Sequence, residues 1–425
     1  MKINIRQILF NRVARNAGWL IGGKIIQMLI NFVVGLITAR YLGPENYGLI
    51  NYASAYTAFF FCFCNLGINS VIVKEFIDHP GEEGQILGTT IGLRMISSLL
   101  SAGTIIAISF VLDAGEPVTK MVVVLTSIGL LFQVFETFNY WFQSQLHSKT
   151  TAIATLIAYL VTACYKVVLL IAKKPVTYFA FATSLDSICF AAILYFCYRR
   201  EHRGKLSFSE SYGKELLKKS YHFILPSLMV AIYGQTDKIM LKQMIDATEI
   251  GYYSTAVSIC NIWCFVLSAI IDSMYPPIME AFKRDKAEFD RKNKLLYAIV
   301  FYVSTLVSVL FMIFGKLAIR ILYGEAYMPS VMPLRIITWY TSFSYLGVAR
   351  TAWIVCKEKQ KYLKYIYLTA AISNVGLNLI FIPMWGASGA AVASLIAQIL
   401  TIVVPFFIKD MRENSVLILK AILFR

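Results

Sequence analysis

Among the charged residues inside long apolar runs of this sequence, where a charge is expensive and by default functional, ten stand out. Six are cationic (Lys24, Arg94, Lys166, Lys238, Arg335 and Arg350) and four are acidic (Glu136, Asp186, Asp237 and Asp272). Lys24, Arg94 and Arg350 each lie about six or seven residues from the inner end of their runs. At about 1.5 Å of rise per residue this puts them roughly 10 Å below the same face. Together they can form a positive ring in the inner half of a central cavity. Such a ring suits a phosphate or pyrophosphate, because arginine binds phosphate oxygens bidentately and lysine adds a point charge. The same side chains can instead snorkel to the interface or pair with a carboxylate on a neighbouring helix. Lys166, Lys238 and Arg335 lie nearer the outer end, and snorkelling accounts for them. Asp237, in YGQTDKIML, either lines the cavity beside Tyr233, Gln235 and Gln243 or caps its helix. The adjacent Lys238 points about 100° away from it, so the two make no simple helical pair.

Aromatic residues supply a second kind of surface. Tyr52 and Tyr56 are one helical turn apart, on a stripe that continues to Phe60 and Phe63. Asn139, Tyr140, Gln143 and Gln145 close a later run. Faces that both stack and hydrogen bond suit sugars, although tyrosine also forms the interfacial belt of any membrane protein. Nucleotide loops, metal-spaced histidines and nucleophile elbows do not occur. The eight cysteines nearly all sit in apolar runs with no CxxC spacing, as small core residues do. No metal, no cofactor and no enzymatic activity are therefore expected, and any energy must come from a gradient or a downstream pull.

The elements that carry these residues follow from composition. Of 425 residues, 58% are hydrophobic and 15% charged, against about 25% charged in an ordinary soluble domain. With a mean hydropathy of +0.65, this excludes a soluble enzyme on one anchor, a disordered chain and a disulfide scaffold. At about 20 residues per crossing, about twelve spans are predicted: 17–39, 48–72, 87–112, 119–143, 151–172, 176–198, 220–244, 249–275, 295–322, 331–356, 363–383 and 388–408. The basic N-terminus precedes an apolar run without a small-residue cleavage site, so the first run is a retained helix. The net charge of +16 would suggest nucleic acid in a soluble protein; here it orients the chain and no nucleic acid is expected. About 27 Lys and Arg fall on one side and about seven on the other. The excess marks the cytoplasmic side and puts both termini there.

A basic loop divides the chain into an N-terminal bundle at 1–198, a cytoplasmic linker at 199–219, and a C-terminal bundle with tail at 220–425. YGLINYA (47–53) and IGYYSTA (250–256) match at a constant offset, with Gly48 opposite Gly251 and Ala53 opposite Ala256. An offset even in span number makes the repeat parallel, with its axis along the membrane normal. Pro226 and Pro405 are kink and hinge candidates. The predicted fold is thus an all-α polytopic membrane protein, with two six-helix bundles around a central cavity.

NAGWLIGGK (16–24), ARYLGPENYG (39–48) and NLGIN (65–69) resemble the opening of the O-antigen and capsule repeat-unit flippases, in the multidrug/oligosaccharidyl-lipid/polysaccharide exporter superfamily. YGQTDKIML (233–241), GYY (251–253) and PMWGASGAAVAS (383–394) resemble the second half of the same family. The resemblance implies two six-helix bundles facing a central cavity. It implies a substrate of undecaprenyl-pyrophosphate-linked oligosaccharide, moved between leaflets of the bacterial cytoplasmic membrane. A polysaccharide polymerase and a chain-length regulator would be partners alongside membrane lipids. It supplies no numbered substrate motif, so the site residues rest on the charge and polarity above: Lys24, Arg94 and Arg350 as cavity cations, and Tyr52, Tyr56, Gln235 and Asp237 as polar lining. The rivals are a multidrug exporter or a lipid II flippase of the same superfamily. A polymerase or ligase, which needs a long external loop, fits poorly.

Overall fold

The structure is a computed structural model describing residues 12–201 and 204–423, with side chains from 22 onward except that of Lys24. It is all helical, with short 3-10 turns and no strand among the described residues. The helices are α1 (Arg12–Asn65), α2 (Ile72–Asp78), α3 (Glu83–Leu112), α4 (Pro117–Gln133), α5 (Thr137–Ser144), α6 (Ser148–Ile171), α7 (Val176–Glu201) and α8 (Glu210–Ser220). They continue with α9 (Ile224–Met244), α10 (Ala247–Arg284), α11 (Lys286–Leu322), α12 (Val331–Ala349), α13 (Thr351–Cys356), α14 (Leu363–Val403) and α15 (Arg412–Ile422).

Two of these are pairs of helices joined at a glycine. In α1 the break is Gly43, at φ 72° and ψ 170°, with Pro44 opening the next turn. A left-handed φ is free only for glycine, and proline at a first turn forgoes a bond it could not make. In α14 the break is Gly386, at φ 55° and ψ −131°. Among the described residues, eight helical segments are long and apolar enough to cross a bilayer. The two broken helices each make two crossings, and α9 and α12–α13, whose apolar runs are interrupted by residues such as Gln235, Asp237 and Arg335, bring the total to twelve.

Boundaries differ where backbone geometry intervenes. Leu66 and Gly67, both left-handed, end α1 at Asn65 rather than at 72. Pro226 sits in the first turn of α9 and Pro405 opens the 3-10 turn after α14, so neither interrupts a helix interior. Prolines do lie inside helices elsewhere, at Pro276 and Pro277 of α10 and at Pro383 of α14, just before the Gly386 break.

The chain divides into two compact units, residues 1–42 with 52–228 and residues 43–51 with 229–425. In the first, α7 packs on α4 and α6, and α3 on α4. The short helices α2, α5 and α8 gather around Ile72, Phe76, Leu87, Phe138, Phe142 and Leu216. In the second, α12 packs on α10, α11 and α14, and α13 and α15 enclose Leu296, Tyr297, Trp353 and Ile418. Outside these cores Val111, Phe196 and Ile171 are 71–78% exposed, which suits contact with lipid rather than water.

Part of the basic segment after α7 folds onto the first unit. Ser207 N–H donates to the Gly84 carbonyl at 3.1 Å, and Ser209 N–H to Thr89 Oγ1 at 3.0 Å. A Cβ on Gly88 would stand 2.3 Å from the Ser207 carbonyl oxygen, so only glycine admits the segment there. α8 then lies on α3, tied to α2 through Glu75.

Candidate functional site

Within the second unit, polar chemistry converges on Asp237. Polar residues in the middle of α9 interrupt its apolar run, and a carboxylate held there needs hydrogen-bond partners inside the protein. It is 2% exposed. The Tyr253 hydroxyl of α10 donates to it at 2.5 Å, Asn374 Nδ2 at 2.9 Å and Asn378 Nδ2 at 2.6 Å, and Ser394 Oγ donates as well. Asn374 and Asn378 stand one turn apart on α14, while Ser394 comes from beyond the Gly386 break. The fold of α14 back on itself therefore brings both of its arms to one carboxylate. A carboxylate, two amides and two hydroxyls can share a proton or, with the amide oxygens turned inward, ligate one small hard cation.

Beside Asp237 lies a chamber of about 250 Å³. Tyr233, Gln235, Lys238, Asn261, Tyr340 and Thr341 line it. Lys238 does not reach outward but donates to Gln235 Oε1 at 3.4 Å. Tyr233 stacks on Tyr367, with ring centroids 6.2 Å apart.

Arg350 follows α12 and is 1% exposed. Its Nη1 donates to the Thr401 carbonyl at 2.7 Å, and among the described residues its Nε has no hydrogen-bond partner. The titratable groups around it are the phenols of Tyr233, Tyr297 and Tyr367 rather than carboxylates.

Arg94 of the first unit is also buried, at 2% exposed, but it is engaged quite differently. Its Nη1 donates to Thr137 Oγ1 at 2.9 Å. Its Nη2 donates to Asn65 Oδ1 at 2.5 Å and to the Gln133 carbonyl at 3.3 Å. Asn65 ends α1, and Gln133 and Thr137 flank the 3-10 break between α4 and α5. Arg94 thus ties together chain ends whose carbonyls the break sets free, with the carboxylate of Glu136 nearby.

Tyr52 and Tyr56 are buried, at 0% and 3% exposed. Their hydroxyls are 2.8 Å apart, and Tyr52 donates to Asp113 Oδ1 at 3.0 Å. Their stripe faces the inside of its own bundle.

The structure therefore brings together Gln235 and Asp237 around one chamber, and encloses Arg94, Arg350, Tyr52 and Tyr56 each within its own unit. Lys24 lies outside the described side chains.

Sequence reasoning missed a second chamber, of about 200 Å³ in the first unit, lined by Asn31, Tyr159, Thr162, Lys166, Thr183 and Asp186. Its one legible signal was the turn-spaced pair Thr162 and Lys166 on a helix joined by a short turn to the helix of Asp186.

Comparison with known proteins matches this architecture. The polysaccharide biosynthesis protein family matches over residues 13–282. The capsular polysaccharide biosynthesis protein CapF of Staphylococcus aureus is 21% identical over 405 residues, 92% of this chain and 98% of CapF. Among solved structures, the lipid II flippase MurJ in an inward closed conformation superposes with a TM-score of 0.72 at 14% identity, covering 94% of this chain and 90% of MurJ. An inward-facing multidrug resistance MATE transporter of the MOP superfamily gives 0.69 at 16% identity, covering 92% and 95%. The chain is a multi-pass α-helical membrane protein with the fold of these transporters, and it belongs to the polysaccharide biosynthesis protein family.

Proposed function

We propose that this protein flips undecaprenyl-pyrophosphate-linked oligosaccharide repeat units from the inner to the outer leaflet of the bacterial cytoplasmic membrane, by alternating access. The observation that carries this is the family match over 13–282, supported by the nearly end-to-end similarity to a capsule biosynthesis protein. The physics fits. Each sugar hydroxyl left unpartnered in hydrocarbon costs several kcal/mol, so the headgroup needs a polar passage while its polyprenyl tail remains in lipid. Bundles 1–198 and 220–425, joined through 199–219, are the halves that would rock, with both termini in the cytoplasm.

Lys24, Arg94 and Arg350 are the cations we assign to the pyrophosphate, and Tyr52, Tyr56, Gln235 and Asp237 the polar groups of the passage. Arg350 is the strongest member, because it is a buried cation with phenols but no carboxylate around it. The membrane charges lean cationic, six to four, which favours an anionic substrate over the organic cations a multidrug exporter handles. A polymerase and a chain-length regulator would act on the flipped product.

The test is complementation of a strain lacking its repeat-unit flippase. Restored surface polysaccharide, with no accumulation of inner-leaflet lipid-linked units, is the expected result. Rescue of a strain depleted of its lipid II flippase, or drug resistance without restored polysaccharide, would overturn the assignment.

A further inference from the structure

Lys166 and Asp186 face one chamber from neighbouring helices, α6 and α7, without forming an ion pair. The carboxylate accepts one long hydrogen bond, from Thr162 Oγ1 at 3.5 Å. Among the described residues Lys166 makes no hydrogen bond, although it lines the same chamber. The hydroxyls of Tyr159, Thr162 and Thr183 and the amide of Asn31 complete the polar lining. At roughly 30 Å³ per water molecule, about 200 Å³ has room for about six. Two opposite charges on membrane helices would ordinarily close into contact, because separation in a low-dielectric interior is costly. Here they are held apart across a space with the room and polarity for a small guest.

We infer that this chamber is a proton-binding site, with Asp186 as the acceptor and Lys166 as its resident counter-charge. A metal ion is disfavoured, because an ammonium already faces the space and only one carboxylate lines it. A sugar ring has no aromatic floor there beyond Tyr159. A proton requires neither ligand count nor floor. It passes from hydronium to a carboxylate oxygen of Asp186, forming one O–H bond and leaving water. The chamber goes from one ammonium and one carboxylate, net zero, to a single positive charge.

The surroundings leave Asp186 the acid in play. From α6 the titratable groups near it are Lys166 and Tyr159, and from its own helix Cys189. α4 meets α7 around Ser184 through Leu125, Thr126 and Gly129, none of which titrates. α1 contributes Asn31, and its only charged residue between 22 and 39 is Lys24, outside the described side chains. The site goes beyond the proposed function and does not depend on it: it would supply the gradient-reading element that a chain with no nucleotide loop needs.

The test is infrared difference spectroscopy on the full-length protein in phosphatidylethanolamine–phosphatidylglycerol vesicles, stepped between acid and alkaline buffer with no substrate present. The wild type is expected to show a protonated-carboxyl band that titrates, and Asp186→Asn to lack it. Lys166→Met should move its midpoint upward by about one to three pH units, because removing a nearby positive charge favours the neutral acid. If Asp186→Asn does not fold, Asp186→Glu serves, and its band should shift in frequency. A band unchanged by substitution at 186, or a midpoint indifferent to loss of Lys166, would overturn the site. Neither readout involves flipping, so failure of the proposed substrate leaves this result intact.

Discussion

Gly48 and Gly251, the glycines aligned in the internal repeat, pack backbone against backbone. A Cβ on Gly48 would stand 1.7 Å from the Ala247 carbonyl oxygen and 3.0 Å from the Gly251 nitrogen. One on Gly251 would stand 2.1 Å from the Pro44 carbonyl oxygen. The similarity of the two segments is thus also a physical meeting, in which each lacks a side chain where the other's backbone passes. Close approach of this kind is how small residues bind membrane helices together.

Gly48→Ala and Gly251→Ala should therefore each destabilise the protein by about 1–3 kcal/mol, the usual scale of overpacking, or more because the obstacle is backbone. Gly103→Ala is the contrast. No described atom lies within 4 Å of its Cβ position, and helix propensity alone should add up to about 1 kcal/mol. Thermal unfolding of the detergent-purified protein measures all three, and equal midpoints would refute the contact.

The docking of α8 should be sensitive to Glu75 and to pH. Glu75 is 4% exposed. It accepts from the Tyr212 hydroxyl at 3.0 Å and from Lys219 Nζ at 2.9 and 3.2 Å. Burial, then Glu75, pushes the Tyr212 hydroxyl well above its ordinary range. The hydrogen bonds that Lys219 donates to Glu215 and then to Glu75 raise its value. A raised value means that the Lys219 contribution is complete below the ordinary lysine range and is lost as pH climbs through the folded value. Glu75→Gln should speed tryptic cleavage between 205 and 219 about tenfold, from loss of about 1–2 kcal/mol at a charged hydrogen bond. Alkaline pH should release the wild-type segment similarly, and cleavage indifferent to both changes would show that α8 is held by its apolar face alone.

The sequence announces some of this more clearly than the rest. Gly43–Pro44 and Gly386 lie between predicted spans because glycine and proline act on the backbone directly, whatever packs around them. The docked segment at 204–220 was illegible, since it is held by Gly84, Gly88 and Thr89 of a helix far away in sequence. Tyr52 and Tyr56 have the spacing of a helical face, but spacing does not say whether that face meets a cavity or Asp113. Lys166 reads as a snorkelling residue because depth is legible in the sequence, whereas the shared chamber that it and Asp186 face is not.

Asp237 should behave as a structural hub, whether or not it also serves the passage as proposed above. Asp237→Leu removes the acceptor shared by Tyr253, Asn374, Asn378 and Ser394. Stranding buried donors costs about 1–3 kcal/mol apiece, so the net loss should exceed about 3 kcal/mol even after local rearrangement. Asp237→Asn keeps the volume but turns an amide donor towards donors, and should fall in between. Thermal unfolding orders the three proteins, and a leucine variant as stable as wild type would mean that the cluster satisfies itself without the carboxylate.

Arg94 and Arg350 are equally buried but should fail in different ways. Arg94→Met strands Asn65, Thr137 and the Gln133 carbonyl and leaves the Glu136 carboxylate without its neighbouring cation. Breaking such a buried arrangement from one side costs about 3–5 kcal/mol, so the protein should be recovered in low yield, and the proposed pyrophosphate contact expects export per folded protein to fall as well. Arg350→Met removes a cation that, among the described residues, has one hydrogen bond and no neighbouring carboxylate. Replacing an uncompensated buried charge with an apolar side chain of similar size is neutral or stabilising by up to about 4 kcal/mol. Normal or raised thermal stability is expected, together with loss of surface polysaccharide, if this charge serves the pyrophosphate as proposed above. Yield and thermal stability separate the two arginines, and normalising export to the amount of folded protein separates loss of fold from loss of substrate contact in each. Full export by a well-folded Arg350→Met variant would show that the substrate does not use this charge.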